Sequence, residues 1–366
     1  MCCWCCCLEC IHNIPPFSLL SLHFSDRALP GGEETAASRP ASMASISVPD
    51  PVPSATEDAE NIRKAVQGWG TDEKALIEIL GHRTAAQRAE IAVAYEGLYN
   101  ETLLDRLHSE LSGDFRSAMM LWTMDPAARD AKLANKALKQ KGDRHVWVLI
   151  EVACASSPDH LVAVRKAYCA AYSASLEEDV AACPFYKDPL KQARPPPFLV
   201  RLVSSYRYSG ELVDDELARA EAAELRDAVV AGKQPLHGDV VRIVSSRSKP
   251  QLKATFERFR QEHGKAIDDV LEERRSDLLA AMLKTAVWCL ASPEKHFAEV
   301  IRSSIVGLGT DESSLTRAIV SRAEVDMKKV KEEYKVRYRG KTVTSDVNGD
   351  TSGYYNGILT TLVGPE

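Results

Sequence analysis

The sequence predicts an all-α fold assembled from four similar units. Three observations lead there. First, four segments align on one pattern: HRTAAQRAEIAVAYEGLY from His82, ASSPDHLVAVRKAYCAAY from Ala155, SRSKPQLKATFERFRQEH from Ser246 and SRAEVDMKKVKEEYKVRY from Ser321. Second, apolar residues inside each segment recur at helical spacing. Third, alanine, a strong helix former, is frequent, and no β-branched alternation bounded by Asn-Gly or Asp-Gly turns is found.

Each aligned segment carries an aromatic 12 residues after its second position, namely Tyr95, Tyr168, Phe259 and Tyr334. A second aromatic follows one turn later at Tyr99, Tyr172 and Tyr338, with His263 in the third copy. The first aromatics lie 73, 91 and 75 residues apart, so extra material separates copies two and three. In the first unit Leu76, Ile77 and Leu80 share one helix face, and Ile91, Tyr95 and Leu98 share another.

A second repeat connects the ends of the chain. Gly68-Trp69-Gly70-Thr71-Asp72-Glu73 recurs as Gly307-Leu308-Gly309-Thr310-Asp311-Glu312. Glu110 lies 40 residues past Gly70, and Asp350 lies 41 past Gly309. Glycine tolerates the positive φ that a sharp turn needs, so alternate carbonyls can converge on one point. Calcium accepts 6–8 oxygen ligands, backbone carbonyls among them. The donors in the first copy are then the carbonyls of Val66, Gly68 and Gly70 with the carboxylate of Glu110. In the second they are the carbonyls of Ile305, Gly307 and Gly309 with Asp350. Three carbonyls and one bidentate carboxylate leave that shell at least one oxygen short, a gap that water or a lipid phosphate can fill. The same loops open helices, with Thr71 or Asp72 as the cap and acids in the first turn.

The motifs GWGTDE at 68, LHSELSGDF at 107, SLEEDVA at 175, SSYRYSGE at 204, VSRAEVD at 320 and GDTSG at 349 make residues 50–365 resemble the annexin family, in particular its plant branch. The resemblance implies four repeats of five helices in a curved disk, with calcium loops on the convex face. It implies calcium-dependent docking on anionic phospholipid membranes, cytoplasmic residence with peripheral attachment, and a non-enzymatic role in trafficking and stress response. Carried over by position, it implies the two ligand sets named above, with Thr351 as an additional ligand beside Asp350. On this reading residues 1–50 are an N-terminal extension, and the repeats span 51–125, 126–208, 209–292 and 293–366.

Repeats two and three depart from the loop pattern. Asp143 and Gln234 stand where Gly70 stands, and Arg274 stands opposite Glu110, so neither repeat is expected to hold calcium tightly. Repeat two also carries a proline cluster near 184–197, which predicts a surface loop and a last helix starting near Phe198. A tolerated insertion, a gene-model error and a polyproline partner site are the three readings of that cluster.

Charge and cysteines narrow the function. Net charge is −6, so there is no overall basic field for nucleic acid, and a bridging cation is needed at an anionic membrane. No stretch approaches 18 apolar residues. Six of the ten cysteines fall in MCCWCCCLEC. Residues 1–42 read as translated upstream sequence, a disordered extension or an S-acylated anchor. Cys154 and Cys289 read as buried small residues, although the resemblance brings a suggested redox role for that pair. A peroxidase-like activity through His82 is an alternative that the family suggests, but no haem-attachment motif or Gly-x-Ser-x-Gly elbow supports catalysis. Gly340-Lys341-Thr342 lacks the upstream glycine of a P-loop, where Lys335 stands. An actin-associated scaffold is the other alternative. The family's F-actin segment appears as Val241-Arg242-Ile243, and its spacing equally fits a core helix. Trp69, at the loop apex, suits a lipid headgroup layer. Self-association on a membrane is open.

Overall fold

The protein is described from a computed structural model, covering residues 43–68, 70–140, 145–183, 196–307 and 309–366. The readings of residues 1–42, Trp69, Leu308, Asp143 and the proline cluster up to 195 fall outside these residues.

Twenty α-helices and no strand occur among the described residues. The first five are α1 (Ala55–Ala65), α2 (Glu73–Leu80), α3 (Ala85–Tyr99), α4 (Leu103–Glu110) and α5 (Gly113–Thr123). The next five are α6 (Pro126–Lys139), α7 (His145–Ala155), α8 (Pro158–Tyr172), α9 (Leu176–Ala182) and α10 (Pro196–Val203). Then come α11 (Asp215–Arg226), α12 (Gly238–Ser246), α13 (Lys249–His263), α14 (Ile267–Glu272) and α15 (Leu278–Ala291). The last five are α16 (Pro293–Ile305), α17 (Glu312–Arg322), α18 (Met327–Arg337), α19 (Val343–Asp350) and α20 (Gly353–Val363). Each set of five is one repeat.

Local chemistry sets these boundaries. Ser54, Thr84, Thr102, Asp125, Ser157, Ser175, Ser248 and Thr342 each accept a backbone N–H in the first turn of the helix that follows. Thr84 with Gln87 and Ser175 with Glu178 form full capping boxes. The third helix of the first three repeats ends on a left-handed residue, Asn100, Ser173 or Gly264. The last helix of repeat two starts at Pro196, two residues before the expected Phe198. Proline lacks an N–H that the first helical turn leaves unpaired anyway, so a helix can begin on it.

The aromatic signature falls in one place in all four repeats. Tyr95, Tyr168, Phe259 and Tyr334 are buried, and each stacks on the ring one turn later at 4.9, 4.8, 5.4 and 4.7 Å. Leu98 differs from its sequence reading. Tyr99 packs on Tyr95, and Leu98 turns outward with 48% exposure.

The buried side chains separate into two clusters. One joins repeats one and four and includes Ile62, Leu80, Trp122, Ile301, Ile319 and Leu362. The other joins repeats two and three and includes Ile150, Phe198, Leu225, Val244, Leu283 and Cys289. Helices α5, α17 and α20 pack together in the first, and α7 packs on α15 in the second. A buried ionic group ties repeat two to repeat four, because Glu151 accepts from His296 at 2.8 Å and pairs with Arg317 at 3.2 Å. Residues 43–50, which the sequence reading grouped with the extension, are packed on repeat four. The Ser45 N–H donates to the Ala323 carbonyl at 2.8 Å, and its hydroxyl reaches Leu362.

Candidate metal centre

Both predicted loops leave a helix of the same core and enter the next in the same way. α1 runs into Val66 and α16 ends at Ile305. The Asp72 N–H then closes back on the Ala65 carbonyl at 2.8 Å, and Asp311 does the same to Ser304 at 2.8 Å. Asp72 and Asp311 are the caps of α2 and α17, accepting from Ala75 and Ser314. Thr71 and Thr310 are therefore free for another task. Thr71 donates to the Glu110 carboxylate at 3.2 Å, and Thr310 donates to the Asp350 main-chain carbonyl at 3.3 Å. The structure thus brings each loop to its distant acid.

The glycines hold the loops open. Gly68 and Gly70 have φ of 110° and 91°, and Gly307 and Gly309 have 141° and 87°. Among the described residues, no atom outside the adjoining residues lies within 4 Å of a Cβ built on any of the four, so conformation rather than crowding requires glycine. Among the described residues nothing donates to the carbonyls of Gly68, Gly70, Ile305, Gly307 or Gly309. Such groups call for water or a ligand.

The acids sit where a helix disfavours them. Glu110 ends α4 and Asp350 ends α19, so each carboxylate adds to the negative pole of its helix. A negative pole beside unpaired carbonyls, all oxygen and no sulfur, suits a hard cation. Among the described residues no group of three His, Cys, Asp or Glu could hold a metal ion, and the oxygens gathered at each loop are main-chain carbonyls with one acidic residue. The residues present fit calcium.

Two predicted ligands are already engaged. The Val66 carbonyl accepts from Arg106 at 2.8 Å. The Thr351 hydroxyl donates to the Val347 carbonyl at 2.7 Å and accepts from Asn356 at 2.9 Å, closing the end of α19. Sequence reading passed over Arg106 and the threonine bridges. Their signals were the i, i+4 spacing from Arg106 to Glu110 and the threonine directly after each second glycine.

The annexin family model matches residues 57–122, 129–183, 220–284 and 296–362. The chain belongs to the annexin family. It is 45% identical to Annexin D3 of Arabidopsis thaliana over 88% of this chain and 99% of that one. It is 48% identical to the Annexin-like protein RJ4 of Fragaria ananassa over 85% and 96%. Among solved structures, Annexin III superposes with a TM-score of 0.78 at 32% identity, covering 89% of this chain and 97% of that one. A calcium-bound annexin (Sm)1 superposes with a TM-score of 0.72 at 28% identity, covering 85% and 90%.

The third annexin repeat shows why its loop differs. α11 runs on into a π-helical turn, Asp227–Ala231, and Gly232 has φ −77° in place of a positive angle. Arg274, opposite Glu110, donates to the Lys233 carbonyl at 3.1 Å. A side-chain cation there meets a loop carbonyl.

The alternative sites have structural surroundings. His82 donates from Nδ1 to the Ser47 carbonyl at 2.6 Å, tying α2 to the packed N-terminal segment. Val241 and Ile243 are buried in α12, and Arg242 pairs with Glu221 and Glu224. Cys154 and Cys289 are buried free thiols. Burial pushes the Cys154 thiol up to about 11 and raises Cys289 well above its ordinary range. No helix among the described residues is long and apolar enough to cross a membrane.

Proposed function

We propose that this annexin docks on anionic phospholipid membranes when calcium occupies the loops of repeats one and four. Annexins are a calcium- and phospholipid-binding family. The observation that carries the reading for this chain is the matched pair of loops. Each has two positive-φ glycines, unpaired carbonyls and a threonine bridge to an acid-bearing helix end. Val66, Gly68, Gly70 and Glu110 would hold one ion, and Ile305, Gly307, Gly309 and Asp350 the other. Bound calcium would supply the positive charge that an anionic headgroup needs. The chain needs that charge, since its net charge of −6 repels an anionic surface.

An incomplete oxygen shell binds weakly alone and more tightly once lipid completes it, so ion and lipid strengthen each other reciprocally. Both loops belong to one core, and two linked contacts gain avidity through effective concentration. Val306, 55% exposed between Ile305 and Gly307, offers an apolar contact at the same loop. Attachment is peripheral on this reading.

Pelleting with phosphatidylserine/phosphatidylcholine vesicles across a calcium titration tests it. The wild type should pellet at lower calcium as the phosphatidylserine fraction rises. The double variant Glu110→Gln/Asp350→Asn should stay in the supernatant while unfolding at the same temperature in chelator. Undiminished pelleting of the double variant would overturn the assignment.

A further inference from the structure

We propose that Arg106 is a built-in surrogate for the ion in repeat one, so that calcium must displace a guanidinium to bind there, and that repeat four has no such guard. This rests on the reading that the repeat-one loop is a calcium site.

One nitrogen of Arg106, Nη2, serves two of the four predicted ligand groups. It donates to the Val66 carbonyl at 2.8 Å and pairs with the Glu110 carboxylate at 3.2 Å. A positive charge thus already bridges the end of α1 and the end of α4, as a metal there would. The side chain is one-quarter exposed, so it has a route to solvent when displaced.

Comparison between repeats isolates the feature. The residue equivalent to Arg106, four before the acid, is Asp346 in repeat four. Asp346 faces the opposite way, accepting from Tyr334 at 2.6 Å and pairing with Arg302. Asp179 holds the same position in repeat two and accepts from Tyr168 at 2.6 Å. In repeat one this carboxylate role has moved to Glu101, which meets Arg63 and Tyr95. That transfer frees position 106 for a cation aimed at the loop. The Asp350 carboxylate has no side-chain partner among the described residues, and nothing among them donates to the Ile305 carbonyl. Repeat three shows the same device carried further, since Arg274 replaces the acid and donates to a loop carbonyl itself.

Two costs follow for calcium in repeat one. The ion must break charge-assisted contacts to two of its own ligands, and the displaced guanidinium stays tethered nearby as a like charge. Repeat four should therefore load first as calcium rises.

Isothermal titration of the full chain with calcium alone, without lipid, tests this in an Asp350→Asn background that silences repeat four. Arg106→Met should tighten the remaining site about tenfold, the scale expected for losing a charge-assisted competitor. It should also lower the unfolding temperature in chelator, because the Val66 carbonyl loses its donor and Glu110 loses its ion pair. Arg106→Gln, which keeps a donor but no charge, should shift affinity in the same direction and serves if the methionine variant folds poorly. In a Glu110→Gln background, Arg106→Met should leave repeat-four binding unchanged. Equal or weaker calcium binding by both Arg106 variants, with Glu110→Gln still abolishing the repeat-one heat, would overturn the surrogate alone. A repeat-one heat indifferent to Glu110→Gln would overturn the site and the surrogate together.

Discussion

Thr71 donates its hydroxyl hydrogen to the Glu110 carboxylate at 3.2 Å, joining a loop to a helix end 39 positions away. The bond orients the acid before any ion arrives. Thr71→Val keeps the shape and removes the donor. With a net hydrogen bond worth about 1 kcal/mol, calcium affinity of repeat one should fall about fivefold. Calorimetry in the Asp350→Asn background reads this directly, and unchanged affinity would show that the threonine does not position the acid.

Gly309 and Gly97 provide a matched pair. Both have open space where a Cβ would go, but Gly309 has φ 87° and Gly97 lies inside α3. Gly309→Ala should cost about 1–2 kcal/mol of folding stability and weaken repeat-four calcium binding, because the alanine resists the left-handed turn. Gly97→Ala should instead stabilise by about 0.5–1 kcal/mol, as alanine does within a helix. Denaturant unfolding in chelator distinguishes them by sign.

Glu151 makes stability depend on acid pH. Burial alone would raise its carboxyl, but Arg317 and then His296 outweigh that and hold it below its ordinary range. The unfolded chain therefore takes up this proton at a pH where the folded chain does not. The contribution is full above the unfolded carboxyl value of about 4.3 and is lost as pH falls through the lower folded value. Unfolding free energy measured from pH 7 down to pH 3 should decline in that window. Glu151→Gln should flatten that part of the decline and cost about 3–5 kcal/mol at neutral pH, since Arg317 and His296 lose a buried partner.

Thiol reactivity should follow burial. Cys154 and Cys289 are fully buried, and burial keeps both protonated well above neutral pH, whereas Cys169 is exposed. Brief alkylation of native protein at pH 7.5, mapped by peptide mass, should label Cys169 and spare the other two. Rapid labelling of Cys154 or Cys289 would support a redox reading of that pair.

Much of the architecture was legible because it repeats. Tyr95, Tyr168, Phe259 and Tyr334 announce one buried helix face four times, and a fourfold pattern resists the ambiguity of any single window. The two glycine loops also repeat, and their threonines reach the Glu110 carboxylate and the Asp350 main-chain carbonyl. Three features were not. The π-turn at Asp227–Ala231 depends on where one helix end packs, which no residue type there declares. The outward turn of Leu98 follows from Tyr99 stacking on Tyr95, which face counting does not resolve. Arg106 reads locally as one more charged residue on a helix. Its contact with Val66 spans 40 positions and exists only once α1 and α4 have packed.

The pairing of the first repeat with the last has a consequence for biosynthesis. Trp122 and Ile62 share a cluster with Ile301 and Leu362, so the helices of repeat one leave the ribosome with no complete interior until those of repeat four emerge. The middle half, by contrast, can assemble its own interior while translation continues. Repeat one must be kept from wrong partners while repeats two and three are being made. Chaperone demand should therefore centre on residues 55–123 rather than on the centre of the chain.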